Sequence, residues 1–200
     1  DITDLLAFGK KNTLEVKVAK ESANSSINAA ERKADWWLYG GIYRPVWLEV
    51  VPQVHIEHFV LNADQHGKFQ ASCEMYGNAQ GYELSVSVRG LKDGATVMTT
   101  SGTSSLSHKI TNSEKDQLIE GQFAQVKTWS TEDPNLYVAR LELKSPEGKT
   151  IQTRETRIGF RTIEFFPQDG VYLNGTKLIV KGINRHSFSV DLSLIHISEP

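Results

Sequence analysis

The strongest constraint on how this chain folds is a period of two. In KFQASCEMY, Phe69, Ala71, Cys73 and Met75 alternate with polar neighbours. YELSVSVRG repeats the pattern with Leu84, Val86 and Val88, and NTLEVKV with Leu14, Val16 and Val18. NLYVARLELK sets Tyr137, Ala139, Leu141 and Leu143 on one face and Arg140, Glu142 and Lys144 on the other. Successive strand side chains point to opposite faces, so each run predicts a strand with one buried face. Turn chemistry separates the runs: Asn78-Ala-Gln-Gly81, Lys92-Asp-Gly94, Ser145-Pro-Glu-Gly148 and Asn174-Gly175. The last predicts a hairpin, because a two-residue type I′ turn needs positive φ at both central residues. The only helix-like fragment is a weak one near DITDLLAFGK.

Strands at intervals of roughly ten residues predict a β-sandwich over residues 52–160, with Pro52 marking its start. The segment 100–116, rich in Ser, Thr, Lys and Asn, reads as a loop or sheet edge inside it. Residues 1–51 supply two or three strands, fewer than a two-sheet core needs. The chain opens on Asp1 rather than Met. Both features lead us to expect further protein before it.

Charge and composition narrow the function. With 22 Lys+Arg against 24 Asp+Glu, net charge is −2. That gives no basic arm for nucleic acid and no polybasic membrane patch. No run of about 18 apolar residues predicts a membrane helix, and no signal peptide is visible. The single cysteine, Cys73, cannot build a disulfide framework, and its place in an alternating run predicts burial.

Five stretches could carry chemistry. ADWWLYGGIYRPVWLEV (34–50) packs aromatics around Gly40-Gly41. It reads either as interdomain packing or as a carbohydrate surface with Asp35 accepting from hydroxyls. In VKTWSTEDPNLY, Glu132 and Asp133 sit side by side on a turn. A glycosidase pair must flank a bond across a cleft, so these two read as a solvated tip. In RETRIGFRTIEF, Arg154, Arg157 and Arg161 interleave with Glu155 and Glu164, as on a solvated or cross-strand paired face. His55 and His58 lie three apart, on opposite strand faces, so they cannot share a metal. We expect neither a metal site nor a cofactor. Finally, VYLNGTKLIVKGINRH is a hairpin whose second strand, KLIVKGI, is almost wholly apolar. Such a run suits a strand covered on both faces, as in a parallel sheet or barrel. Asn184, Arg185 and His186 then fall at its C-terminal end, where (β/α)₈ barrels gather their active sites.

In chain order, these pieces resemble glycoside hydrolase family 2, the group of β-galactosidases, β-glucuronidases and β-mannosidases. ITDLLAFGKKNTLEVKV and DWWLYGGIYRPVWLEV resemble the last strands of that family's N-terminal sugar-binding jelly roll. VKTWSTEDPNLYVARLEL and RETRIGFRTIEF resemble the end of its immunoglobulin-like domain. VYLNGTKLIVKGINRHSF resembles the start of its catalytic barrel. The resemblance implies a mostly β chain. Residues 1–51 would close a jelly roll and 52–160 form a complete immunoglobulin-like sandwich. Residues 161–192 would begin the (β/α)₈ barrel.

It also implies a parent that hydrolyses β-glycosides with retention, using two glutamates. In the family one of these follows an asparagine. This sequence contains no Asn-Glu dipeptide, so we expect no catalytic residue here and an inactive fragment. The positions that carry over bind substrate. His186 matches a histidine that hydrogen-bonds the sugar, and Arg185 and Asn184 match its neighbours. Asp35 matches an aspartate through which the jelly roll reaches the site. Asp-Trp-Trp-x-Tyr-Gly-Gly is nearer to glucuronidase-like members, whereas the His186 motif is nearer to galactosidases. Ser187 departs from the glutamate usual in the latter. The implied partner is a carbohydrate substrate, with neither nucleic acid nor membrane, and a homo-oligomeric parent fits this reading. A bacterial cytoplasm or periplasm suits the parent equally. Residues 193–200, within SLIHISEP, resemble translated adapter sequence and are set aside as non-native. The competing class is a noncatalytic β-sandwich that binds carbohydrate or spaces other domains. A protein-binding immunoglobulin-like module is a third.

Overall fold

The computed structural model describes residues 2–32, 41–42 and 44–183. The chain divides into two compact units, residues 1–50 and residues 51–200.

The described part of the first unit is not strand. A 3₁₀ turn spans Thr3–Leu5, matching the weak helical signal at the start. A short helix, α1 (Ser25–Arg32), was not foreseen. Asn24 caps it, its Oδ1 accepting from the Ser26 amide at 3.0 Å and from the Ser26 hydroxyl at 2.8 Å. Such a cap satisfies an amide that the first helical turn leaves open. NTLEVKV, expected as a strand, forms none, and Leu14, Val16 and Val18 are exposed. Alternation fixes which face a strand would bury, but a strand also needs a ladder partner. None stands beside this run among the described residues.

The second unit is mostly β. Eight strands form two antiparallel sheets: β1 (His55–Ala63), β2 (Lys68–Tyr76), β3 (Glu83–Gly90), β4 (Thr96–Val97), β5 (Ser105–Lys109), β6 (Asp116–Gln122), β7 (Tyr137–Lys144) and β8 (Thr150–Ile158). One sheet has the order β1-β2-β6. The other runs β4-β3-β7-β8, with β5 continuing the β4 edge along β3. The expected edge character of 100–116 is realised as β5.

The alternating faces meet inside. Phe69, Ala71, Cys73 and Met75 of β2 are buried against Leu84, Val86 and Val88 of β3 and Tyr137, Ala139, Leu141 and Leu143 of β7. Burial pushes the Cys73 thiol up to about 11, as desolvation disfavours the thiolate. Edge-to-face aromatic contacts cross the core from Phe69 to Phe123 (5.4 Å), Phe123 to Phe160 (6.2 Å) and Phe160 to Tyr137 (5.2 Å). The Tyr137 hydroxyl accepts from the Lys127 amide at 2.7 Å and donates to the Lys127 carbonyl at 3.3 Å. It thereby anchors the crossing from β6 to β7.

Side chains tie the sheets together along both open sides. Gln152 of β8 accepts from the Ile56 amide of β1 at 2.6 Å and donates to the Ile56 carbonyl at 3.4 Å. On the other side His108 of β5 donates to Gln117 of β6 at 3.2 Å. The first bridge engages backbone groups that the β1 edge would otherwise present to another chain, whereas the second joins two side chains.

A small third sheet follows, with the order β11-β10-β9: β9 (Ile163–Phe166), β10 (Gly170–Leu173) and β11 (Thr176–Leu178). Its Asn174-Gly175 turn has φ of 50° and 78°, the positive pair expected of type I′. The apolar strand expected over KLIVKGI pairs only as far as Leu178, and Ile179, Val180 and Ile183 are exposed. An apolar run becomes a buried strand only between neighbours on both sides. No such pair flanks residues 179–183 among the described residues.

Candidate functional site

The residues expected to bind substrate, Asn184, Arg185, His186 and Asp35, lie outside the described residues. What the structure describes is the frame that leads to the first three of them. Thr162, just before β9, and the hairpin turn are joined through Asn174. Asn174 Oδ1 accepts from the Thr162 amide at 2.9 Å, and the Asn174 amide donates to the Thr162 carbonyl at 2.8 Å. Its Nδ2 donates to the Trp129 carbonyl at 3.0 Å. The turn residue therefore fastens the hairpin to the last long loop of the sandwich.

Trp129 is the hub of that loop. Its amide donates to the Phe160 carbonyl at 2.9 Å. Its side chain lies against Gly159, where an added Cβ would come within 2.8 Å of the tryptophan. The Arg161 guanidinium covers the ring, 4.8 Å from its centroid. An arginine on one face and a backbone against the side chain leave this tryptophan a packing role rather than a sugar platform. Glu132 and Asp133 are exposed on the adjoining turn, as expected. Asp133 Oδ2 accepts from Asn135 at 2.9 Å. Within the arginine-rich stretch Glu155 pairs across strands, 3.6 Å from Arg140 and 3.9 Å from Arg89.

A groove of about 490 Å³ lies beside the β3–β4 turn, among Leu91, Lys92, Asp93, Met98, Lys127 and Asn135. Its one carboxylate, Asp93, accepts from the Ala95 amide at 3.0 Å and belongs to the turn. The groove therefore lacks the two carboxylates that glycoside hydrolysis needs 5–9.5 Å apart, as order-of-magnitude bounds, across the scissile bond. Among the described residues no three His, Cys, Asp or Glu side chains gather as metal ligands. His55 is buried and His58 exposed, with a register shift between them.

On the polar face of the hairpin Lys177 reaches Asp169 at 2.6 Å, and the Tyr172 hydroxyl donates to the same carboxylate at 2.6 Å. The lysine contact first, and the tyrosine second, hold the Asp169 carboxyl below the usual carboxylate range. The same hydrogen bond raises the Tyr172 phenol. Sequence reasoning recognised Asn174 as a turn residue but missed its side-chain bonds. It also missed the bridging role of Gln152. Neither leaves a local signal, since the partners lie 45 and 96 residues away.

Three comparisons place this architecture among known proteins. The model of glycosyl hydrolases family 2 matches residues 54–161. A β-galactosidase of Clostridium acetobutylicum is 32% identical over 94% of this chain and 20% of its own length. A β-galactosidase of Lactobacillus delbrueckii subsp. bulgaricus is 30% identical over 92% of this chain and 17% of its own. The crystal structure of a β-glucuronidase of Parabacteroides merdae, with glycerol in its active site, superposes at a TM-score of 0.59. It is 28% identical and covers 76% of this chain and 19% of the other. The chain thus spans about 20% of the length of the curated relatives it matches.

Proposed function

Because this chain belongs to the glycosyl hydrolases family 2, we propose that it is a segment of a retaining β-glycosidase acting on β-galactosides or β-glucuronides. The observation that carries this reading is a coincidence of boundaries. The family match runs over 54–161, and the eight sandwich strands run from His55 to Ile158. In this reading residues 52–160 are the immunoglobulin-like domain. The strand order β1-β2-β6 facing β4-β3-β7-β8 supports it, as does the tyrosine at the start of β7 bonded back to the chain upstream. Residues 1–51 close the sugar-binding jelly roll, and 161–192 open the catalytic barrel.

The chemistry assigned to the parent is double displacement. One glutamate protonates the leaving oxygen and a second forms the glycosyl-enzyme, which water then hydrolyses. Neither glutamate belongs to this segment, which contributes the rim. His186 donates to or accepts from a sugar hydroxyl, Arg185 and Asn184 shape the site, and Asp35 accepts from a hydroxyl. Separate Asp35→Ala and His186→Ala changes in the parent enzyme test these roles. Each removes one polar contact to the sugar, so kcat/KM on the true substrate should fall by roughly tenfold to a hundredfold. An unchanged kcat/KM rejects the assigned roles. Sugar binding without any turnover by the parent would favour the noncatalytic module instead.

A further inference from the structure

We propose that Asn174 is a site of spontaneous deamidation that the docked hairpin holds shut, a modification separate from any sugar chemistry. Asn174 is the one asparagine of the sequence that a glycine follows. The reaction needs no partner but water. The backbone nitrogen of the next residue attacks the asparagine Cγ. The Cγ–Nδ2 bond breaks, the proton of the attacking nitrogen leaves with the ammonia, and a five-membered succinimide closes. Water then opens the ring at either carbonyl. One opening leaves aspartate, and the other leaves isoaspartate, with the main chain routed through the side chain. A side chain on the attacking residue hinders the approach, and glycine has none.

The turn leaves the attacking residue open and holds the attacked group. Gly175 is exposed, and no heavy atom lies within 4 Å of where its Cβ would stand. Asn174 is half-buried, and both ends of its carboxamide are engaged. Oδ1 accepts from the Thr162 amide at 2.9 Å, and Nδ2 donates to the Trp129 carbonyl at 3.0 Å. The Asn174 backbone amide donates to the Thr162 carbonyl at 2.8 Å. Attack turns Cγ tetrahedral and expels Nδ2, so the ring closes only after the carboxamide has left both partners. Trp129 is itself fixed by the Phe160 carbonyl and by Arg161 over its ring. The hairpin must therefore come away from the β6–β7 loop before the chemistry begins. Two lost hydrogen bonds correspond to a factor of roughly ten to a hundred in the open population.

Conversion changes what can dock again. Aspartate has no donor where Nδ2 stood, so a carboxylate oxygen faces the Trp129 carbonyl oxygen. Isoaspartate adds a methylene to the main chain between Leu173 and Thr176, which pair across the turn. Either product turns a reversible opening into an irreversible one.

The test incubates the 200-residue chain at one mildly alkaline pH, in buffer and in unfolding urea. Trypsin then releases residues 162–177, which contain a single asparagine, and mass spectrometry follows its conversion from amide to acid. In urea Asn174 should convert ahead of every other asparagine. In buffer it should convert roughly tenfold to a hundredfold more slowly. That slowing should match the slowing of hydrogen exchange at the Asn174 amide, which is freed by the same opening. Equal conversion in buffer and in urea overturns the proposal, as does protection that does not follow the Asn174 amide when urea is raised below the unfolding transition. Asn174→Asp reproduces one product and should lose exchange protection at the amide of position 174. Full protection there overturns the irreversible step.

Discussion

Asn174 shows how much one side chain can do at a turn. It adopts a φ of 50°, accepts from Thr162 and donates to the Trp129 carbonyl. Alanine loses both side-chain bonds and strains the positive φ, so Asn174→Ala should destabilise the hairpin by about 2–3 kcal/mol. Glycine restores the backbone freedom but not the bonds, so Asn174→Gly should fall between the two. Hydrogen exchange at the Thr162 and Asn174 amides separates these cases. Equal exchange in all three proteins would dismiss the side-chain account. The dipeptide announced the turn because positive φ is a local property. The tether was invisible because Trp129 is brought near only by the finished fold. Cys73 is the opposite case: alternation alone placed it in the core, where it is 1% exposed.

Among the elements, the strands whose faces oppose other strands were legible in the pattern, and those without partners were not. β2, β3 and β7 bury the residues that their alternation nominates. NTLEVKV alternates as cleanly, yet forms no strand because nothing described pairs with it. α1 was not evident because its eight residues span barely two turns, too short a run for a helical period to stand out, while its Asn24 cap is a local device. The joins between sheets were equally hidden. Gln152 touches both backbone groups of Ile56 across the edge. Gln152→Leu removes both bonds and leaves the Ile56 amide without its partner, at a cost of about 1–3 kcal/mol by urea unfolding. A cost near zero would show that the two edges hold without it. On the hairpin, the depressed Asp169 carboxyl makes a pH prediction. Its contribution is present while the carboxylate is ionised and is lost as pH falls through its lowered value. Lys177→Ala should move the Asp169 titration, followed by carboxyl-carbon NMR, back up toward the ordinary carboxylate range. An unmoved titration would assign the depression to Tyr172 alone.

At the scale of the molecule, order along the chain was more informative than any single motif. The alternating strands β1 to β8 and the Trp129–Tyr137 turn segment fall within residues 54–161, where the family match runs, whereas the Asn174-Gly175 hairpin lies beyond it. The expected sugar-binding residues are harder to reach from this chain, because Asp35 and residues 184–186 lie outside the described part. Chemistry in such a family depends on two carboxyl groups held about 5–5.5 Å apart across a sugar, and a sandwich core does not supply them. In the proposed reading this segment frames a glycosidase site without itself performing hydrolysis. Its most direct test is release of a chromophore from aryl β-galactoside, β-glucuronide and β-mannoside by the purified 200-residue chain. No release above the uncatalysed rate is expected on any of the three. Release that rises in proportion to chain concentration would contradict it.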